Sequence, residues 1–355
     1  ASKHGFYKAK RAGIPAISAC FCASGLQIEG ESVIIRLREQ VYKWNGGTFM
    51  MKIAVQTGGP EERLGVDATY RLVKEAGFDA VDANIDHLVS GRDLHDRKIP
   101  EIFLTGSDKE CAERFLPWKE AAEKYGIDNY QAHAPFPSYV YDENSEEYND
   151  QILTMLRRMI MGCDVMNCRN LIIHPFFLGY EQQLDPEKEW EINVDRYSRL
   201  IPEAKKYGVT INLENMFMAK RGKIYAACCS DITTACRYVD TLNGIAGGKQ
   251  FGFCLDTGHL LLVGLDVKNA MIELGDRITA FHVHDNDGAH DQHLAPYMGV
   301  LDWNRFVEGL KAIGYNKTMS FETFNIWNVM DEEIAPKMMK FIAECGRTFA
   351  RRAEA

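Results

Sequence analysis

The chain has 355 residues, of which 46% are hydrophobic and 26% charged, so it can bury one large core or two small ones. Its net charge of -9 and pI near 5.6 argue against non-specific nucleic-acid binding, which requires a basic face. No apolar run approaches the roughly 18 residues that span a bilayer. The ten cysteines include no CxxC pair, which is typical of reduced core thiols in a cytoplasmic protein.

The first 50 residues differ from the rest because they show no helix or strand period. A basic start precedes the apolar run IPAISACFCASG, so a signal peptide is one interpretation, although Pro15 interrupts the run. We prefer a second interpretation, in which the fold starts at Met50 or Met51, because a strand-like run follows there at once. Residues 1–50 are therefore predicted to be an N-terminal extension outside the core fold, and residues 51–355 the folded domain.

From Met51 onward, short strands alternate with amphipathic helices. The strand-like runs are MKIAVQT, GFDAVDANI, NYQAHAPF, NLIIHPF, VTINLENM, QFGFCLDTGH, ITAFHVHD and KTMSFETF. Helical stretches such as ERFLPWKEAAEKYG and WNRFVEGLKAIG separate them, and several end in glycine. Eight strands and intervening helices predict an α/β fold of the (β/α)₈ TIM-barrel type. A doubly wound open sheet is the alternative, but QTGGPEERLG after the first strand is not a GxGxxG turn.

Polar side chains stand at the ends of these runs, and the strand ends of such a barrel meet at one mouth. Four of them end consecutive runs in the second half of the chain: Glu214, Asp256, His282 and Glu322. Further candidates for metal or substrate binding are His133, His174, His259, His284, Asp291 and His293. A buried charge costs several kcal/mol unless it is paired or metal-bound, so the pattern predicts one shared metal site.

Carboxylates and imidazoles without thiolate suit Mn²⁺, Mg²⁺, Co²⁺ or Zn²⁺, and we take Mn²⁺ as the first choice. Cys254, two residues before Asp256, is interpreted as a packing residue. Aromatic residues near the strand ends could wall a sugar ring or simply pack in the core: Phe136, Phe176, Phe217, Trp303 and Trp327. Lys220, Arg221 and Lys223 form a basic loop after the fifth strand.

The segments NLENM, CLDTGH, HVHDNDG with HLAPYMGVLDW, and SFETF make the chain from Met51 onward resemble the xylose-isomerase-like TIM-barrel superfamily. That superfamily includes sugar and sugar-phosphate isomerases, ketose 3-epimerases and zinc-dependent endonuclease IV enzymes. The epimerase pattern implies that Glu214, Asp256, His282 and Glu322 bind one metal, with Glu214 and Glu322 as the acid–base pair. It also implies that His259 contacts the substrate. Gly288 stands where the epimerases carry an arginine.

The endonuclease IV pattern implies a different use of the same residues. Its three-zinc ligand set matches His133, His174, Glu214, Asp256, His259, His282, Asp291, His293 and Glu322.

The resemblance implies a metal-dependent sugar or sugar-phosphate isomerase or epimerase that works by proton transfer through an enediolate. One alternative is a lyase or C-glycoside deglycosidase that acts on 3-keto-glycosides with the same site. The other is a multi-zinc phosphodiesterase of the endonuclease IV type. We expect a small-molecule sugar or keto-glycoside substrate and neither nucleic acid nor membrane as a partner. A homo-oligomer or a small partner subunit remains open.

Overall fold

The computed structural model describes residues 51–141, 145–176 and 185–355, all within one compact unit. The predicted extension, residues 1–50, lies outside the described residues. Among the helices described, none combines the length and apolar character that crossing a bilayer requires.

Within the described residues, ten strands form two sheets. They are β1 (Lys52–Gln56), β2 (Ala80–Asn84), β3 (Asp128–His133), β4 (Asn170–Ile172), β5 (Thr210–Glu214), β6 (Phe217–Lys220), β7 (Lys223–Ala226), β8 (Phe251–Asp256), β9 (Ile278–His282) and β10 (Thr318–Phe321).

Helices separate most of the strands. They are α1 (Gly58–Leu64), α2 (Val66–Ala76), α3 (Gly91–His95), α4 (Asp108–Glu113), α5 (Leu116–Tyr125), α6 (Glu146–Val165), α7 (Pro186–Ser198), α8 (Ile201–Tyr207), α9 (Ile232–Ala246), α10 (Thr257–Leu262), α11 (Val267–Leu274), α12 (Trp303–Ala312), α13 (Ile326–Val329) and α14 (Ala335–Glu354).

Eight strands form a parallel sheet in the order β10-β1-β2-β3-β4-β5-β8-β9. The two outer strands of this order, β9 and β10, are joined just past β9, where Val283 bridges Phe321. The amide of Val283 donates to the Ser320 carbonyl at 2.9 Å, and the amide of Glu322 donates to the Val283 carbonyl at 3.1 Å. The predicted (β/α)₈ barrel is therefore confirmed, and the open-sheet alternative is wrong.

Most residues of the barrel strands are buried on both faces, as expected for a parallel sheet covered by helices. Every residue of β2 and β8 is buried. The outer helices bury one stripe each; α2, for example, packs Tyr70, Val73 and Ala76 inward. Since all strands run the same way, their carboxyl ends lie at one mouth, where the polar residues of the sequence are found.

A small antiparallel hairpin, β6–β7, follows β5 at this mouth. Its tip is a tight turn with positive φ at Arg221 (51°) and Gly222 (72°), a backbone conformation that glycine adopts without steric cost. The basic segment predicted to be a loop thus lies largely in two paired strands.

Candidate metal centre and active site

Four carboxylate and imidazole side chains converge at the centre of the mouth. The Nδ1 atom of His282 lies 3.1 Å from Oε1 of Glu214, 3.9 Å from Oδ2 of Asp256 and 3.6 Å from Oε2 of Glu322. Glu214, Asp256 and His282 are the last residues of β5, β8 and β9, and Glu322 directly follows β10. All four are buried. The structure thus brings together the four residues that the sequence suggested for one metal.

A second group adjoins Glu214 and contains His133 and His174. The Nε2 atoms of the two imidazoles lie 3.0 Å apart, and Nε2 of His174 lies 3.3 Å from Oε2 of Glu214. The Nδ1 atom of His133 faces the Ala134 carbonyl at 2.9 Å, which leaves its Nε2 directed at the group. Because burial and then His174 lower the pKa of His133 to about 3, this imidazole is neutral and offers a lone pair.

A third group lies on the other side of Asp256. Oδ2 of Asp291 is 3.6 Å from Nε2 of His259 and 3.1 Å from Nε2 of His293. The Nδ1 atom of His259 faces the Asn215 carbonyl at 2.8 Å and lies 3.6 Å from Oε1 of Glu214. All the candidates of the sequence therefore lie in one connected cluster.

His284 lies behind the centre and supports it. Its Nε2 is 3.1 Å from Oδ2 of Asp256, and its ring stacks on His293 with the centroids 4.1 Å apart. This position requires the glycine at 258, because a Cβ there would lie 1.9 Å from Cε1 of His284. The geometry makes His284 a contact of Asp256 beneath the cluster.

The electrostatics of the cluster fit a divalent cation. Burial by itself would raise the pKa of Glu214, but His282 and His174 outweigh it and hold the pKa well below its ordinary value. Burial would lower the pKa of His259, yet Asp256 and Asp291 raise it to about 10. Oε2 of Glu214 is buried and accepts no well-aligned hydrogen bond from the described residues. Protons on imidazoles thus supply the positive charge that a bound ion would supply.

Two inward-facing residues that the sequence did not single out hold His282 from below. The Nε2 atom of His282 lies 3.0 Å from Oδ2 of Asp82 on β2, and Nε2 of Gln131 on β3 donates to the same oxygen at 2.7 Å. Asp82 and Gln131 are fully buried. Since Nδ1 of His282 faces the three carboxylates, Asp82 fixes the tautomer and the ring orientation that leave Nδ1 free to bind a metal.

Cys254 packs in the core and also lies close to the candidate metal ligands. It shares a small apolar cluster with Ile172 and Ala280, as its interpretation as a packing residue predicts. Its thiol also lies within 4.8 Å of ligand atoms of Glu214 and His282. Burial raises the pKa of this thiol well above its usual value, so it is protonated at neutral pH.

The mouth opens into a cavity of about 250 Å³. Glu214, His133, His174, His259, Asp291, His293 and Glu322 reach its surface. Of the aromatic candidates, only Phe136 and Phe217 line it. Phe176 packs on Tyr197, Trp303 stacks on Phe349, and Trp327 is buried, so the sugar-wall interpretation is wrong for these three. Phe324, which the sequence did not single out, lines the cavity instead.

We expect Asp82→Asn to weaken divalent-cation binding about 10- to 100-fold, the usual effect of removing a carboxylate that orients a metal-binding histidine. The new side-chain amide can donate to Nε2 of His282. It thereby favours the tautomer that carries its proton on Nδ1, the atom that faces the carboxylates. Competition against a chromophoric chelator measures the affinity. Glu61→Gln is the matched control, because Glu61 is also a buried carboxylate but accepts from Trp118 Nε1 at 3.0 Å. Equal affinities of the wild type and Asp82→Asn would contradict this role.

Comparisons with known proteins agree with the fold. The inosose isomerase of Bacillus subtilis is 24% identical over 191 residues, which cover 52% of this chain and 64% of that protein. The crystal structure of the 3-keto-D-glucoside 4-epimerase YcjR from E. coli superposes with a TM-score of 0.60 at 16% identity, covering 83% of this chain and 100% of that one. The crystal structure of the IOLI protein with a binding zinc atom gives a TM-score of 0.55 at 20% identity, covering 86% and 96%.

At these identities, the likeness to the two solved structures establishes the barrel fold alone. The sequence profile of the family described as "Xylose isomerase-like TIM barrel" matches residues 70–345, which span most of the described barrel. The chain therefore belongs to the xylose isomerase-like TIM barrel family.

Proposed function

We propose that this protein is a divalent-metal-dependent carbohydrate isomerase or epimerase. The observation that carries the proposal is the pair of carboxylates, Glu214 and Glu322, that meet at His282 on the floor of an open cavity. Two relatives support it, since one is an inosose isomerase and the other a 3-keto-D-glucoside 4-epimerase. Both names describe the rearrangement of a polyhydroxylated ketone.

A divalent cation bound by Glu214, Asp256, His282 and Glu322 would supply Lewis-acid polarisation of a substrate carbonyl. Glu214 and Glu322 come from strands separated by β8 and β9 in the barrel order, so they can approach a substrate from different sides. One carboxylate removes the proton from the carbon next to the carbonyl, and the other returns a proton. Return to the same carbon gives an epimer, and return to the neighbouring carbon gives an isomer.

The same first step can lead to elimination. If a leaving group stands β to the deprotonated carbon, its departure gives a lyase or deglycosidase product instead of an epimer. The buried imidazole of His133 and the partly exposed imidazole of His174 lie at the cavity surface, where they can contact substrate oxygens. The choice between the two outcomes therefore depends on the substrate, and product analysis distinguishes them.

The crystal structure of the IOLI protein contains a binding zinc atom, which supports a metal-dependent function for a protein of this fold. We propose a divalent ion, with Mn²⁺ as the first choice and Mg²⁺, Co²⁺ or Zn²⁺ as the alternatives, since carboxylates and imidazoles accommodate all of them.

Deuterium exchange tests the proposal. The metal-loaded protein is incubated in D₂O with D-fructose, D-tagatose, an inosose and a 3-keto-glucoside, and NMR reads the label. We expect deuterium at a single carbon next to the carbonyl of at least one of them, together with an epimer, isomer or elimination product. Chelator-treated protein is the control. Absence of exchange with the whole panel would overturn the proposal.

A second candidate function is a multi-zinc phosphodiesterase of the endonuclease IV type. The observation that favours it is the assembly of three adjoining ligand groups, each with ligand atoms within 4.8 Å: His133, His174 and Glu214; Glu214, Asp256 and His259; and His284, Asp291 and His293. The net charge of -9 weighs against a DNA substrate. Three zinc ions per chain and nicking of abasic DNA, without deuterium exchange, would place this function first.

A further inference from the structure

One side of the cavity carries no candidate metal ligand and is built from amides and carboxylates. Gln56 and Asn84 are the last residues of β1 and β2, and Asp86 and Glu62 lie beside them at the cavity surface. We call these four residues the amide wall. Gln56 and Asn84 are only 6% and 5% exposed, so their polar atoms are nearly removed from bulk water.

The two amides lie against the backbone at Gly58. The amide of Gly58 donates to Oε1 of Gln56 at 3.1 Å. A Cβ at Gly58 would lie 2.5 Å from Nδ2 of Asn84 and 2.9 Å from Oε1 of Gln56. Only glycine therefore lets both side chains lie against this turn.

The wall has an unused hydrogen-bond acceptor. Oδ1 of Asn84 is buried and accepts no hydrogen bond from the described part of the chain. A buried acceptor without a partner costs free energy, which a donor on a ligand recovers. Asn84 lines the cavity, so a substrate hydroxyl is the donor we expect to pair with Oδ1 once the side chain shifts toward a bound ligand.

The wall also has no positive charge to offer. Among the residues that line the cavity there is no lysine or arginine, while Glu62 and Asp86 are both carboxylates. Burial, Glu62 and Glu322 together raise the pKa of Asp86 to about 6, so it is mostly ionised at neutral pH. A phosphate on this side would meet like charges, which costs binding energy.

We propose that the amide wall selects substrates whose end facing the wall is hydroxylated and uncharged, with Asn84 as the specificity-determining residue that accepts a hydrogen bond from that end. This inference rests on the proposed function and adds the substrate class: an unphosphorylated polyhydroxylated ketone.

Matched pairs of ligands test the charge preference on the wild-type protein. D-Fructose is compared with D-fructose 6-phosphate, and D-tagatose with D-tagatose 6-phosphate, by calorimetric binding to the metal-loaded protein and by deuterium exchange. We expect the neutral member to bind at least tenfold more tightly in each pair. Equal or tighter binding of the phosphate esters overturns the inference, even where exchange upholds the proposed function. A retained neutral preference without exchange, either here or with the inosose and the 3-keto-glucoside, overturns the proposed function alone. Failure of all four ligands to bind overturns the inference.

Two variants test the residues. Asn84→Ala is expected to raise KM for the neutral ketose about tenfold, with kcat and metal affinity little changed. Asn269→Ala is the control, because Asn269 is an exposed asparagine on α11.

Asp86→Asn keeps the shape of the wall and removes a charge. We therefore expect it to improve binding of the phosphate ester and to narrow the ratio of the two dissociation constants within each pair of ligands. A gain of this kind cannot come from a damaged fold. An unchanged KM in Asn84→Ala, or an unchanged ratio of dissociation constants in Asp86→Asn, counts against the role of the amide wall in substrate selection.

Discussion

Replacing Glu322 by Gln is expected to lower the rate of deuterium exchange about 10²- to 10⁴-fold, the range that one acid–base group contributes. The amide is nearly isosteric with the carboxylate, but it cannot accept the proton. The backbone would still place the new side chain, because the backbone N–H of residue 322 donates to the Val283 carbonyl at 3.1 Å whichever side chain is present. NMR of the ketose in D₂O measures the rate, and metal analysis of the same sample measures the loss of a ligand.

Glu308→Gln is the matched control for this variant. Glu308 is an exposed glutamate on α12 that pairs with Lys268 at 2.7 Å, so its replacement leaves the mouth untouched. Exchange at the wild-type rate in Glu322→Gln, with metal bound, would remove Glu322 from the proton-transfer step. A fall in exchange that only follows a loss of metal would assign Glu322 to metal binding alone.

The position of the candidate site could be predicted from the sequence because it depends on strand ends. A polar residue that stops a buried apolar strand has to lie at an end of the barrel, and parallel strands place all such residues at the same end. Glu214, Asp256 and His282 are for this reason the terminal residues of their strands. Prediction of the fold needed no more than the count and spacing of the strand-like runs.

The support beneath the site could not be predicted in the same way. Asp82 and His282 are 200 residues apart, and their contact arises only when the barrel closes. The sequence did contain a signal, since Asp82 is a charge within the apolar run GFDAVDANI, but that signal does not name a partner. The role of Asn84 is harder still to predict from the sequence, because its unpaired Oδ1 is a property of the packed structure.

The orientations of the aromatic side chains near the strand ends were the least predictable feature of the site. Phe176 and Phe217 both follow barrel strands, yet one packs on Tyr197 and the other contacts the ring of His259 at 5.0 Å. Whether such a side chain points into the mouth or behind it depends on the few loop residues after the strand, which have no period.

Removal of the metal is expected to abolish exchange, and its return to release protons. In the ion-free protein the pKa of His259 is about 10. Burial lowers the pKa values of His282 and His293, but Cys254, Glu322 and Glu214 outweigh it at His282, and Glu322 and Asp291 outweigh it at His293, so both pKa values lie well above the ordinary value. These imidazoles carry protons at pH 7, and a cation that takes their place must displace them. Affinity should therefore weaken as the pH falls and strengthen as it rises.

Calorimetric titration with Mn²⁺ or Zn²⁺ in two buffers of different ionisation enthalpy measures the protons released. We expect at least one proton per ion at pH 7, and recovery of exchange in step with the ion added to chelator-treated protein. Heats that do not depend on the buffer would show that the imidazoles are neutral before the ion binds. Exchange that survives complete chelation would overturn the proposed metal dependence and leave Glu214 and Glu322 to move the proton without an ion.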